Sequence, residues 1–187
     1  MSDAKTRLIE IVRERSFSLG PEMKLASGRT SSFYFNMKPT MLHPEGAHLI
    51  ATLVLDAIAA DRVDLIGGLE MGAVPLAASV IALSQEKGKT VRAFFVRKQA
   101  KEYGTQKLVE GLGPDETMAG QNVVVLEDVT TTGGSAIKAV EALKADGANI
   151  LKVITVVDRQ EGAAQNFENA GIVFHPLLDA ALFTSAE

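Results

Sequence analysis

The chain is 187 residues long, 47% hydrophobic and 22% charged, which suits one α/β domain with a modest addition better than two full domains. A formal net charge of −4 argues against a nucleic-acid binder, because phosphate backbones reward basic surfaces, yet leaves room for a small anionic substrate held by a few local cations. Cysteine is absent, which excludes disulfides, thiolate nucleophiles and zinc-thiolate sites and fits a reducing, cytoplasmic setting.

The N-terminus carries charges throughout and lacks the apolar run of a signal peptide, and no uncharged stretch approaches the length of a membrane span. Leu8, Ile9 and Val12 recur at helical spacing, predicting an amphipathic helix over 4–15. Residues 17–36 have a different texture. Gly20-Pro21, Ser27-Gly28 and the aromatic run Phe33, Tyr34, Phe35 predict a turn-rich strand region. A helix follows over 44–60, with Pro44 in its first turn.

The pattern then becomes regular. Strands are predicted over 65–68, 91–96, 122–126, 150–157 and 172–174, and helices over 74–85, 135–145 and, more weakly, 163–170. Between them, 97–121 is polar with little periodicity. Strands alternating with helices imply an α/β fold whose parallel sheet is covered on both faces, and the near-continuous apolar strands are what double burial requires.

The most informative segment is VVVLEDVTTTGGSA, residues 123–136. A buried strand ends in two acids, and hydroxyl residues with two glycines then open a helix. Ligands of open α/β sheets bind at the carboxyl ends of strands. Backbone N–H groups at a helix start favour phosphate, and glycines let the backbone approach it closely. Asp and Glu suit ribose hydroxyls or a divalent cation instead. The spacing is neither a P-loop nor a dinucleotide fingerprint. A plain capped turn would explain the Thr-Thr-Gly-Gly run alone, but not the acid pair before it.

This segment closely resembles the signature for 5-phosphoribosyl 1-diphosphate in the type I phosphoribosyltransferases. The resemblance implies a central, mostly parallel twisted sheet flanked by helices, with a small N-terminal hood at 17–40, a core at 44–177 and a mobile loop at 97–113. It also implies that Glu127 and Asp128 hold the ribose hydroxyls. Val129, Thr130, Thr131, Thr132, Gly133, Gly134 and Ser135 then wrap the 5-phosphate.

Further segments are similar to the orotate phosphoribosyltransferases in particular. LASGRTSSFYFN (25–36) resembles their hood segment, in which Tyr34 and Phe35 would contact the flat base, joined by Thr131; aromatic faces suit a planar pyrimidine. An aromatic cluster in the core would explain the same run in isolation. Ala26 stands where many members have Lys, and Lys24 is out of register. RKQAKEYGT (97–105) resembles the catalytic loop that reaches into a neighbouring subunit. Arg97, Lys98 and Lys101 take its cationic, catalytic positions, and Tyr103 replaces the usual His. VVDRQEG (156–162) places Arg159 where the family pairs Arg with the orotate carboxylate, which the guanidinium fork favours. GGLEMGAVPL (67–76) resembles the diphosphate loop, with Glu70 and Met71 where some relatives have Tyr-Lys.

His43, His48 and His175 are scattered and make no catalytic or metal set. The implied function is transfer of a phosphoribosyl group to orotate, with Asp128 at the reacting sugar and Mg2+ brought mainly by the donor's diphosphate. A homodimer sharing loop 97–113 is implied too, with no nucleic-acid or membrane partner. Two rivals remain: the same chemistry on a purine or uracil, and a non-catalytic regulator that kept the cradle and binds nucleic acid.

Overall fold

The computed structural model describes residues 2–24, 30–99 and 108–184. Helix α1 (Asp3–Arg15) starts at Ser2, whose hydroxyl accepts from the Lys5 N–H, and buries Leu8, Ile11 and Val12. Strands β1 (Phe17–Lys24) and β2 (Thr30–Phe35) form an antiparallel ribbon with Phe17 opposite Phe35. A short α2 (Lys38–Met41), not foreseen from periodicity, turns the chain into α3 (Pro44–Ala57). Helix α3 stops three residues short of the predicted position 60, where the chain leaves it in hydrogen-bonded turns.

The central sheet has six strands in the order β5-β4-β3-β6-β7-β8. They are β3 (Leu65–Leu69), β4 (Arg92–Val96), β5 (Val109–Glu110), β6 (Asn122–Thr130), β7 (Asn149–Asp158) and β8 (Phe174–Asp179). All pairings are parallel except β4 with β5. Helices α4 (Ala73–Glu86), α5 (Gly134–Ala145), α6 (Ala163–Asn169) and α7 (Ala181–Thr184) complete the chain. Among the described residues no helix is long and apolar enough to cross a membrane.

Two apolar cores explain the apolar strands. Val123 and Val125 join one core with Ala139, Val140 and Leu143 of α5 and Phe167 of α6. Val124 and Leu126 join the other, with Leu8 of α1, Ile50 and Val54 of α3, and Val80 of α4. Alternate residues of β6 thus enter opposite layers, as strand geometry dictates. Phe35 belongs to the second core, so the β1–β2 ribbon is welded to the sheet's body.

Strands β6 and β8 depart most from their sequence-predicted bounds, and β5 falls in the polar 97–121 stretch where no strand is predicted. Strand β6 does not end at Leu126: Glu127, Val129 and Thr130 continue to pair with Thr155, Val157 and Asp158 of β7. The acids therefore emerge from a strand rather than a loop. Strand β8 lies beyond the predicted 172–174 and contains His175 and Pro176. A proline lacks the ladder donor and is tolerated here because β8 is an edge strand.

Candidate active site

The carboxyl ends of β3, β4, β6 and β7 lie side by side, and Lys98, Glu127, Asp128 and Arg159 all lie at or just past these strand ends. Glu127 is mostly buried, and its Oε2 has no hydrogen-bond partner. Burial first, and then the charge of Asp128, push its carboxyl up to about 8 against the opposing charge of Lys98. Lys98, two residues past the end of β4, is thus near enough for its charge to act on Glu127. Asp128 turns the other way along the strand, and its Oδ1 accepts from the Val129 N–H at 2.9 Å.

The loop after β3 closes on both. A Cβ placed on Gly72 would lie 2.6 Å from Oδ1 of Asp128, so the loop reaches the acid only because that residue is glycine. Glu70 donates its N–H to the Val96 carbonyl at 2.8 Å, and its Oε1 accepts the Lys98 N–H at 3.0 Å. Neither contact is legible in the sequence, where Glu70 registers only as a departure from the Tyr-Lys of some relatives.

Beyond Asp128 the chain wraps into α5. Thr130 is 2% exposed and its Oγ1 has no partner, while its carbonyl accepts the Arg159 N–H at 2.9 Å. Gly133 has φ of 80°, a conformation that favours glycine, and no side chain caps α5. The first-turn N–H groups of that helix therefore point out of its end without a side-chain acceptor, next to the hydroxyls of Thr131, Thr132 and Ser135. Asn166, on α6, donates from Nδ2 to the Thr132 carbonyl at 2.8 Å. Sequence periodicity gave no signal for this residue.

Arg159 immediately follows β7 and is 5% exposed. Its guanidinium carbon lies 4.6 Å above the Phe33 ring. Nη2 donates to the Phe33 carbonyl at 3.3 Å, and Nε donates to Oε1 of Glu161 at 2.8 Å. Arg159 thereby stitches β2 to the sheet. Its neighbour Asp158 accepts the Gln160 N–H; burial raises its carboxyl above the ordinary range, against that hydrogen bond.

The aromatic pair departs from the expectation that both rings meet a base. Consecutive strand residues face opposite ways. Tyr34 is 44% exposed, whereas Phe35 is 4% exposed, with its ring centre 5.2 Å from those of Phe17 and Phe183. The ring of Phe35 serves the core. Arg97 is also turned aside. Its Nη1 lies 3.9 Å from Oε1 of Glu110, and its Nε donates to the Gln99 carbonyl at 3.3 Å. Lys101 and Tyr103 fall outside the described residues, as does Ala26. His175 sits within β8, where burial and then Lys152 lower its pKa. A cavity of about 670 Å³ bounded by Leu108–Met118 residues and by Ala142, Ala145 and Asp146 lies at the far end of α5 from the phosphate-type loop.

The sequence profile of the phosphoribosyl transferase domain matches residues 40–184. An orotate phosphoribosyltransferase of Bradyrhizobium sp. strain BTAi1 is 56% identical over 182 residues, which is 97% of this chain and 98% of that protein. The crystal structure of Mycobacterium tuberculosis orotate phosphoribosyltransferase with Fe(III) dicitrate superposes with a TM-score of 0.82 at 35% identity, covering 97% of this chain and 99% of that one. The same enzyme in complex with 5-phospho-α-D-ribosyl 1-diphosphate gives a TM-score of 0.78 at 31% identity, over 98% and 93% of the two chains.

Proposed function

The chain belongs to the phosphoribosyl transferase family and, within it, to the orotate phosphoribosyltransferases, and on that premise we propose how its residues divide the work. The reaction moves the 5-phosphoribosyl group from 5-phosphoribosyl 1-diphosphate to N1 of orotate, giving orotidine 5′-phosphate and diphosphate in pyrimidine biosynthesis. One observation carries the site assignment: a strand that delivers Glu127 and Asp128 leads directly into the uncapped start of α5. Sugar hydroxyls and a phosphate one ribose apart need that order of groups.

In this reading Asp128 and Glu127 accept the ribose hydroxyls. Main-chain N–H groups over 130–135, with the hydroxyls of Thr131, Thr132 and Ser135, hold the 5-phosphate. Orotate lies against Tyr34 and the main chain of Phe35, near Thr131, with its carboxylate toward Arg159. The 3.3 Å contact of Arg159 with the Phe33 carbonyl is long, and it is the one a carboxylate would replace with a charged pair. The loop at 67–72 offers backbone donors to the diphosphate.

Breaking the C1–O bond leaves oxocarbenium-like charge on the sugar and negative charge on the leaving diphosphate, while orotate N1 supplies the new bond. Catalysis is then positioning plus electrostatic stabilisation. Lys98, whose charge already acts on Glu127, is joined by Arg97, Lys101 and Tyr103 when segment 97–113 folds over the donor and excludes water. The ring N–H of orotate is acidic enough that no strong protein base is required. The hard oxygens of Glu127, whose Oε2 is unpartnered, and of Asp128 fit Mg2+, held chiefly through the donor's own oxygens. When bound, the ion neutralises charge on the leaving diphosphate. The working unit is a homodimer in which segment 97–113 serves the neighbouring site.

Turnover with orotate, uracil and adenine, each with and without Mg2+, tests this reading. Product only from orotate and only with the metal supports it. Equal turnover of an uncarboxylated base would remove Arg159 from base recognition, and metal-independent turnover would remove Mg2+.

A further inference from the structure

We propose that Asn166 is a positioning residue for the 5-phosphate cradle, acting through the Thr132–Gly133 peptide. This rests on the assignment of 130–135 to the 5-phosphate. In a trans peptide the carbonyl and the following N–H point in opposite directions. Asn166 holds the Thr132 carbonyl toward α6 at 2.8 Å, so the Gly133 N–H is turned away from α6. Among the described residues no backbone N–H donates to that carbonyl. Gly133 accepts either sign of φ, so without Asn166 the peptide is free to rotate. Rotation would present a carbonyl oxygen, rather than a donor, to the phosphate.

The rest of α6 supports the same role. Phe167, fully buried and stacked on Phe174 with ring centres 4.6 Å apart, presses under Gly133. A Cβ on Gly133 would lie 2.9 Å from its ring. Helix α6 thus supports the loop from below through Phe167 and sets one peptide's direction through Asn166. Asn166 itself lies on an exposed helix face, so its loss leaves no hole in the core.

The test uses Asn166→Ala, Asn166→Asp and, as a control on the cradle itself, Ser135→Asp, which puts a carboxylate where the 5-phosphate is assigned. The readouts are KM for each substrate, kcat, thermal melting, and calorimetric binding of ribose 5-phosphate. A neutral hydrogen bond predicts that Asn166→Ala raises the donor KM and the Kd of ribose 5-phosphate about three- to tenfold. The KM for orotate and the melting temperature should stay put. Asn166→Asp should do at least as much, since a carboxylate has no hydrogen to donate to the carbonyl. Unchanged donor constants in both Asn166 variants, with Ser135→Asp impaired, would overturn the positioning role and leave the cradle standing. Unchanged constants in all three would overturn the cradle with it. Equal losses for orotate and donor, or losses matched by a fall in melting temperature, would make Asn166 merely structural.

Discussion

Gly72 and Asp128 are in contact so close that a single added carbon, the Cβ of alanine, would come within 2.6 Å of Oδ1. The loop after β3 and the acid proposed to hold the ribose are therefore one unit. Gly72→Ala must shift Asp128 or the loop. It is expected to lower kcat/KM for the donor at least about tenfold, as Asp128→Asn should, since charge-assisted hydrogen bonds contribute roughly 1.5–3 kcal/mol. Steady-state kinetics on both variants checks this. Wild-type constants in Gly72→Ala would mean the contact has no bearing on donor binding.

Glu127 gives a pH-dependent prediction. Its carboxyl is raised to about 8, first by burial and then by Asp128. The folded protein thus holds a proton that the unfolded chain releases near the ordinary 4.5. That contribution to stability is complete below about 4.5 and is lost as pH rises through about 8. Glu127→Gln stays neutral throughout. It should melt close to wild type at about pH 5 and above wild type at about pH 9. Parallel melting curves across that range would show that Glu127 is not buried as a neutral acid.

Arg159 links Phe33 to Glu161 and is proposed to hold the orotate carboxylate, and a conservative change separates the two. Arg159→Lys keeps a cation but loses the planar fork that spans a carboxylate. Orotate binding should weaken far more than donor binding, because only orotate offers a carboxylate. Calorimetry with each ligand separately decides. Equal losses would leave Arg159 as the link between Phe33 and Glu161 alone.

The proposed sharing of the 97–113 loop predicts complementation. Lys101→Ala removes a loop cation and Asp128→Asn removes a ribose acid. If each site takes its loop from the partner, a mixed dimer has one site with both defects and one with neither. Random exchange with independent sites then restores about a quarter of wild-type activity. No recovery after verified subunit exchange would place loop and acids of one site on the same chain.

Much of this was legible in the sequence. The run of residues 123–126 reads as a strand buried on both faces, because it is short, rich in β-branched valine and apolar at four consecutive positions. The acids, threonines and glycines that follow specify their chemistry locally: carboxylates, hydroxyls and freely approachable N–H groups, in the order the proposed ribose-phosphate site requires. Phosphate binding at a helix start is a short-range property, and short-range properties survive in a one-dimensional reading.

What the fold alone decided is a matter of long-range contact. Strand alternation sent Tyr34 outward, but only packing against Phe17 and Phe183 took the ring of Phe35 into the core. Pairing with β7, not any propensity of Glu127 or Asp128, extended β6 through the acids. Glu70 meets Lys98 across 28 residues, Asn166 meets Thr132 across 34, and Arg159 meets Phe33 across 126. A sequence carries the donors and acceptors for such bonds, yet not which of them the two cores will press together, because that choice depends on burial of apolar faces elsewhere in the chain.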